Sequence, residues 1–185
     1  MTEHAIEWDE CGRERIARYD VFSVSASLAR SPRTGEMMSF NVVEMADCVQ
    51  VVPVTEAGKI VMAHQYRHGA GMPSLEFPAG RMEPGETPAD AAARELLEET
   101  GYVAESIKLM QTVRPDPAIL TNRIHVLSAR ACVRVREPVQ DEGEAVLVRI
   151  VPPDEVDRLI RDGVIHHSVT IAAWFFFSRF PELRP

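Results

Sequence analysis

Gly80–Tyr102 reads GRMEPGETPADAAARELLEETGY, and the rest of the chain is interpreted outward from it. Thr87 is a helix-capping residue type, Pro88 falls at the first helical position and Asp90 at the third. The predicted helix runs through Leu97 to about Thr100, and Gly101 stands where helices commonly end. At roughly 100° per residue, Ala89, Ala92, Ala93 and Leu96 form a packing stripe. Glu95, Glu98 and Glu99 fall together beside it, at spacings i, i+3 and i+4. Like charges so placed repel by roughly 0.2–0.5 kcal/mol per pair. Arg94 can reach Glu98, but one arginine cannot neutralise three glutamates. A hard divalent cation could, because Mg²⁺ takes carboxylate oxygens and keeps waters for a phosphate substrate. The face therefore reads as a metal cluster that neutralises a polyphosphate and activates water. Taken alone, it also reads as a solvated acidic helix surface.

Strands dominate the sequence before this helix. Residues 15–29 alternate polar and apolar, which predicts one or two strands with Ile16, Val21, Val24 and Leu28 inward. Further strands are predicted at 37–45, 47–54, 60–67 and 75–78, with turns at 31–35 and 56–59 and a loop at 80–85. After the helix come strands at about 103–112, 122–134 and 144–151. Two helices follow, one from Pro152 to Arg161 and one from Ser168 to Ser178. Many strands with few helices give an α+β class, with a mixed sheet and helices packed on it.

The composition narrows the function. The 185 residues are 45% hydrophobic and 26% charged, a globular balance for one domain with a small appendage. Twenty Lys and Arg against 28 Asp and Glu leave a net charge of −8, which argues against nucleic-acid or membrane-surface binding. The apolar run near Ile171–Phe177 is far too short to span a bilayer. The start Met1-Thr2-Glu3-His4 has no signal-peptide character, so a cytoplasmic protein is expected. Cys11, Cys48 and Cys132 are too scattered for a disulfide framework or a zinc site, and read as free thiols. His166 and His167 are taken as surface or packing residues, and Trp174–Phe177 as core or dimer packing.

The spacing inside the opening stretch is Gly80, five residues, Glu86, seven residues, Arg94-Glu95-Leu96, one residue, Glu98-Glu99, one residue, Gly101 and a bulky Tyr102. At every defining position it resembles the signature of the Nudix hydrolase family. Seven such matches arise by chance on the order of once in 10⁹ starting points. The resemblance implies a Nudix-type α/β/α sandwich with a mixed sheet, plus an N-terminal antiparallel strand region. It also implies cleavage of a nucleoside diphosphate linked to another group, with Mg²⁺ as cofactor and Mn²⁺ as an alternative. Glu95, Glu98 and Glu99 would hold the metal, Arg94 would orient a glutamate, Glu86 would support the loop or the metal, and Gly80 and Gly101 would supply turns.

Three further segments look like the ADP-ribose pyrophosphatase branch of that family. They are Ser31-Pro32 with Thr34-Gly35, Gln65-Tyr66-Arg67, and Glu76-Phe77-Pro78-Ala79-Gly80. By that likeness Ala79 gives a carbonyl to the metal, Arg67 grips the substrate's phosphates, and Glu76 belongs to the substrate site. Residues 1–45 would be a dimerising strand region and residues 46–185 the hydrolase domain. Pro117 matches a substrate-loop proline sixteen residues past Gly101, but its neighbours Asp116, Ala118 and Ile119 depart from the branch, which leaves the group beyond the diphosphate open. The general base would be Glu142 or Glu144 on a late loop turned by Gly143. The expected reaction converts ADP-ribose or a related nucleoside diphosphate sugar to a nucleoside monophosphate and a sugar phosphate. Alternatives are the same chemistry on GDP-mannose, a dinucleoside polyphosphate or a coenzyme A-type diphosphate, or a non-catalytic nucleotide sensor. The partners expected are the small-molecule substrate and a second copy in a homodimer.

Overall fold

Three N-terminal strands, β1 (Asp9–Arg18), β2 (Ser23–Arg30) and β3 (Met37–Glu44), make an antiparallel sheet of their own in the computed structural model, which describes residues 6–139 and 145–183. Strand β1 starts earlier than the alternation at 15–29 suggests, and the turn between β1 and β2 splits that stretch in two. The chain divides into two compact units. The first holds the residues up to 46 together with 114–122; the second holds 47–113 and 123 onward. The 114–122 segment joins β3 through hydrogen bonds from Val43 N–H to the Ile119 carbonyl (2.7 Å) and from Thr121 N–H to the Val43 carbonyl (3.0 Å).

Three of the four residues expected inward in the 15–29 stretch face outward, and Val24 is half-buried. Ile16, Val21 and Leu28 are 61%, 46% and 42% exposed, whereas Ser25, Ser27 and Ala29 are buried. Alternation marks two faces of a strand but not which one is covered, and a three-stranded sheet has few layers to cover either.

The second unit is built on an eight-stranded mixed sheet. Its strands are β4 (Cys48–Thr55), β5 (Ile60–Arg67), β6 (Met72–Glu76), β7 (Ala79–Arg81), β8 (Tyr102–Val103), β9 (Ser106–Val113), β10 (Ile124–Arg134) and β11 (Val146–Val151). The spine runs β11-β5-β4-β10-β8; β6 adds to β5, β7 to β4 and β9 to β10. Among the described residues of this sheet, only the β4–β10 pair is parallel. Short strand β7 occurs where turn residues predict loop, because β4 offers it a ladder partner, and the strand expected at about 103–112 is split into β8, which pairs with the end of β10, and β9. Strand β10 slips register between Ala129 and Cys132, where Ala131 adopts a left-handed φ of 49°. This bulge turns the strand end toward β8.

Helices cover both faces. Helix α1 is Pro88–Thr100, α2 is Pro153–Arg161 and α3 is Ser168–Arg179. Strand β4 reads CVQVVPVT because both its sides are covered. Val49 and Val51 pack with Ala91, Ala92 and Leu96 of α1, while Val52 packs with Val156, Leu159, Trp174 and Phe177 of α2 and α3. Trp174 and Phe177 are core, as anticipated, but Phe175 is 51% exposed. The three cysteines are free, and burial pushes the Cys132 thiol up to about 11, so it is an inert core residue. No helix among the described residues is long and apolar enough to cross a membrane.

Candidate active site

The helix that carries the glutamates is fixed at both ends by its own residues. Thr87 Oγ1 accepts from the Asp90 N–H (3.3 Å), and the Asp90 carboxylate accepts from the Thr87 N–H (3.3 Å), a reciprocal cap. At the other end Gly101 takes a left-handed φ of 75° and donates its N–H to the Leu97 carbonyl (2.9 Å). A Cβ there would collide with the Arg136 carbonyl oxygen, so chain packing and backbone conformation both require glycine. Gly80, on β7, lies against the Glu95 carboxylate, which a Cβ would overlap. Gly80 and Gly101 thus each have a steric reason, whereas Gly85 has open space around it and a left-handed φ of 90°.

Arg94 is the hub. Its Nε and Nη2 donate to the two oxygens of Glu86 (2.8 and 3.0 Å). Nη1 donates to Glu95 (2.8 Å) and Glu98 (3.2 Å), and Nη2 also reaches the Arg81 carbonyl (2.9 Å). All five guanidinium N–H groups are therefore engaged. The bonds to Glu86, then to Glu95 and Glu98, push the Arg94 pKa up. In turn the Arg94 bonds, with a bond from the Glu83 N–H, pull Glu86 down to about 2.

Glu99 behaves differently from its two neighbours. The buried stripe of α1 is Ala91, Ala92, Leu96, Glu99 and Thr100, whereas Ala89 and Ala93 are exposed. Glu99 is thus inside the packing face, 6% exposed, and accepts the Ala79 N–H at 3.1 Å. A buried ionised carboxylate is costly unless hydrogen-bonded or bound to a metal. Glu98, by contrast, has a 45% exposed side chain.

A second polar group forms at the ends of β5 and β6. Arg67 donates through Nε and Nη2 to both oxygens of Glu76 (2.9 and 2.8 Å). Glu76 is fully buried. Burial alone would raise its pKa, but the bonds from Arg67 and from His167 outweigh it and hold the carboxyl well below the usual range. Sequence alone does not single out His167, which passes there as a surface or packing residue. The buried Gln50 in an otherwise apolar strand is the signal that a polar network crosses this region.

The structure thus brings Gly80, Glu86, Arg94, Glu95 and Glu98 into one cluster, joins Glu99 to Ala79, and pairs Arg67 with Glu76. Pro117 is exposed and lies in the first unit, in the 114–122 segment. Glu142 and Glu144 lie outside the described residues. Val139, just before them, donates its N–H to the Glu98 carbonyl (2.9 Å).

The donors suit a hard cation: all are oxygens, and Glu95 and Glu98 each direct one to the same positively charged atom, Arg94 Nη1. Among the described residues no three acidic, histidine or cysteine side chains close into a ready cage. The Arg94 guanidinium holds Glu95 and Glu98 instead, together with Glu86.

Comparison with known proteins agrees with this geometry. The profile of the NUDIX domain matches residues 45–174. The methanol dehydrogenase activator of Bacillus methanolicus is 32% identical over 174 residues, covering 94% of this chain and 91% of that protein. The ADP-ribose pyrophosphatase of Bacillus subtilis is 31% identical over 140 residues, covering 75% and 76%. A crystal structure of an ADP compounds hydrolase superposes with a TM-score of 0.82 over 95% of each chain at 20% identity, which shows the shared fold.

Proposed function

The chain belongs to the Nudix family, and from that premise we propose that it hydrolyses the diphosphate bond of ADP-ribose or a related nucleoside diphosphate sugar with Mg²⁺, releasing a nucleoside monophosphate and a sugar phosphate. The observation that carries this reading is the carboxylate cluster on α1. Glu86, Glu95 and Glu98 gather on one guanidinium, and Glu99 is buried beside them against Ala79.

Glu95, Glu98 and Glu99, with the Ala79 carbonyl, are the proposed metal ligands. Bound there, Mg²⁺ or Mn²⁺ would offset the substrate's charge and make a water more acidic. Arg94 sets the orientation of Glu95 and Glu98, and Glu86 in turn anchors Arg94. Arg67, backed by Glu76, presents a half-exposed guanidinium for the diphosphate. Glu142 or Glu144 is the proposed base that takes the proton of the attacking water. Two neighbours support that assignment: the Val139 bond to Glu98 on one side of the segment, and on the other the start of β11 at Val146, opposite Gln65.

A homodimer through the N-terminal sheet fits the apolar side chains left on it, Trp8, Ile16, Leu28, Met38 and Phe40, all at least 41% exposed. A cytoplasmic location goes with the three free thiols.

The test is a product assay on a panel of nucleoside diphosphate sugars, dinucleoside polyphosphates and coenzyme A, each with Mg²⁺ and with a chelator. Release of AMP and ribose phosphate from ADP-ribose, lost on chelation, is expected. Turnover that survives chelation, or no hydrolysis of any sugar diphosphate, would overturn the reading.

A further inference from the structure

Glu76 has three donors, not two. Besides the paired bonds from Arg67, His167 Nδ1 lies 3.1 Å from Glu76 Oε2. His167 occupies the N-cap of α3, and its Nδ1 is also 3.0 Å from Thr170 Oγ1. Thr170 is buried and accepts a bond from Gln50 Nε2 (3.0 Å), which also reaches the Phe77 carbonyl (3.4 Å). A continuous polar chain, Gln50–Thr170–His167–Glu76–Arg67, therefore runs from the core to a guanidinium whose side chain is 41% exposed. His166, the preceding residue in sequence, turns instead to the Pro73 carbonyl (3.3 Å).

The geometry decides what His167 does. Two parallel bonds fix the Arg67 guanidinium relative to the Glu76 carboxylate. They do not fix the carboxylate relative to the fold, because the terminal torsion of glutamate is broad and soft. A third bond, arriving from a different element, pins that torsion. The ionised carboxylate only accepts, so the proton of this contact belongs on Nδ1, and Thr170 Oγ1, 3.0 Å away, shares that one N–H as a second acceptor; a bare Nδ1 would set lone pair against lone pair.

We propose that His167 is a positioning residue for Arg67, acting through Glu76, and so sets the affinity of the site for the substrate's diphosphate. This rests on the reading that Arg67 grips that diphosphate. The test compares His167→Ala, His167→Asn and His167→Gln. Asparagine keeps a donor near the place of Nδ1, whereas glutamine carries its donor one atom too far. With ADP-ribose and Mg²⁺, alanine and glutamine should each raise KM about tenfold and leave kcat within about twofold. Asparagine should bring KM back to within about threefold of the parent. The Arg67 Nε–H resonance, independent of turnover, should be sharp in the parent and the asparagine variant and exchange-broadened in the other two. A KM that rises equally in all three variants, a kcat that falls at constant KM, or an unchanged Nε–H signal would each overturn the proposal. A parent protein that leaves ADP-ribose intact would remove the functional reading, while the resonance would still decide whether His167 positions Arg67.

Discussion

Glu98→Gln separates catalysis from folding more sharply than any other single change. The side chain is 45% exposed, and its ion pair with Arg94 is long, 3.2 Å, at helix spacing i, i+4. Such pairs are worth about 0.3–0.5 kcal/mol. For a domain of this size that is about 1–2 °C in Tm. Glutamine keeps the shape and one oxygen, so packing is undisturbed. The loss to chemistry is of another order. Removing one full negative charge from the proposed metal ligands should cost about 3–4 kcal/mol of transition-state stabilisation, on the order of a few hundredfold in kcat. The assay is AMP release from ADP-ribose at saturating Mg²⁺, run beside a thermal scan of each protein. Turnover within about tenfold of the parent would refute the role given to Glu98, and a Tm loss that parallels the activity loss would mean the residue acts through the fold.

Glu86→Gln should show the opposite balance in acid. The folded pKa of Glu86 is about 2, below its ordinary 4.5, so the stability from its Arg94 pair is fully present above about 4.5 and fades as pH falls toward 2. The gap in urea stability between parent and variant should therefore narrow over that interval, and a gap that stays constant from pH 6 down to 3 would contradict the pairing. Phe40→Asp, on β3, places a charge among the exposed apolar side chains of the N-terminal sheet. Sedimentation should give a two-chain mass for the parent and a one-chain mass for the variant; a parent that already sediments as one chain would end the dimer reading.

The box helix was legible because its signals are local. Thr87 and Asp90 cap each other across three residues, and Gly101 closes the helix on Leu97, four residues back. The identity of the box glycines follows from contacts the sequence does not display: Gly80 meets Glu95 fifteen positions away, and Gly101 meets Arg136. The three glutamates look equivalent on a helical wheel. In the fold Glu98 is half open to solvent, whereas Glu99 sits in the packing face on Ala79. The same limit explains the N-terminal sheet, where alternation separated two faces but assigned Ile16 and Leu28 to the covered one. It explains His167 as well, whose partner Glu76 is ninety-one positions earlier.

What the chain by itself determined is therefore the chemistry on offer: the spacing of carboxylates, arginine and glycines on one capped helix, and the mixed sheet that strand and helix periodicity require. Which of those carboxylates is buried, which arginine is held, and which histidine holds it were decided by tertiary packing. Caps and periodicity depend on residues within a turn or two, whereas burial depends on whatever distant element arrives to exclude water.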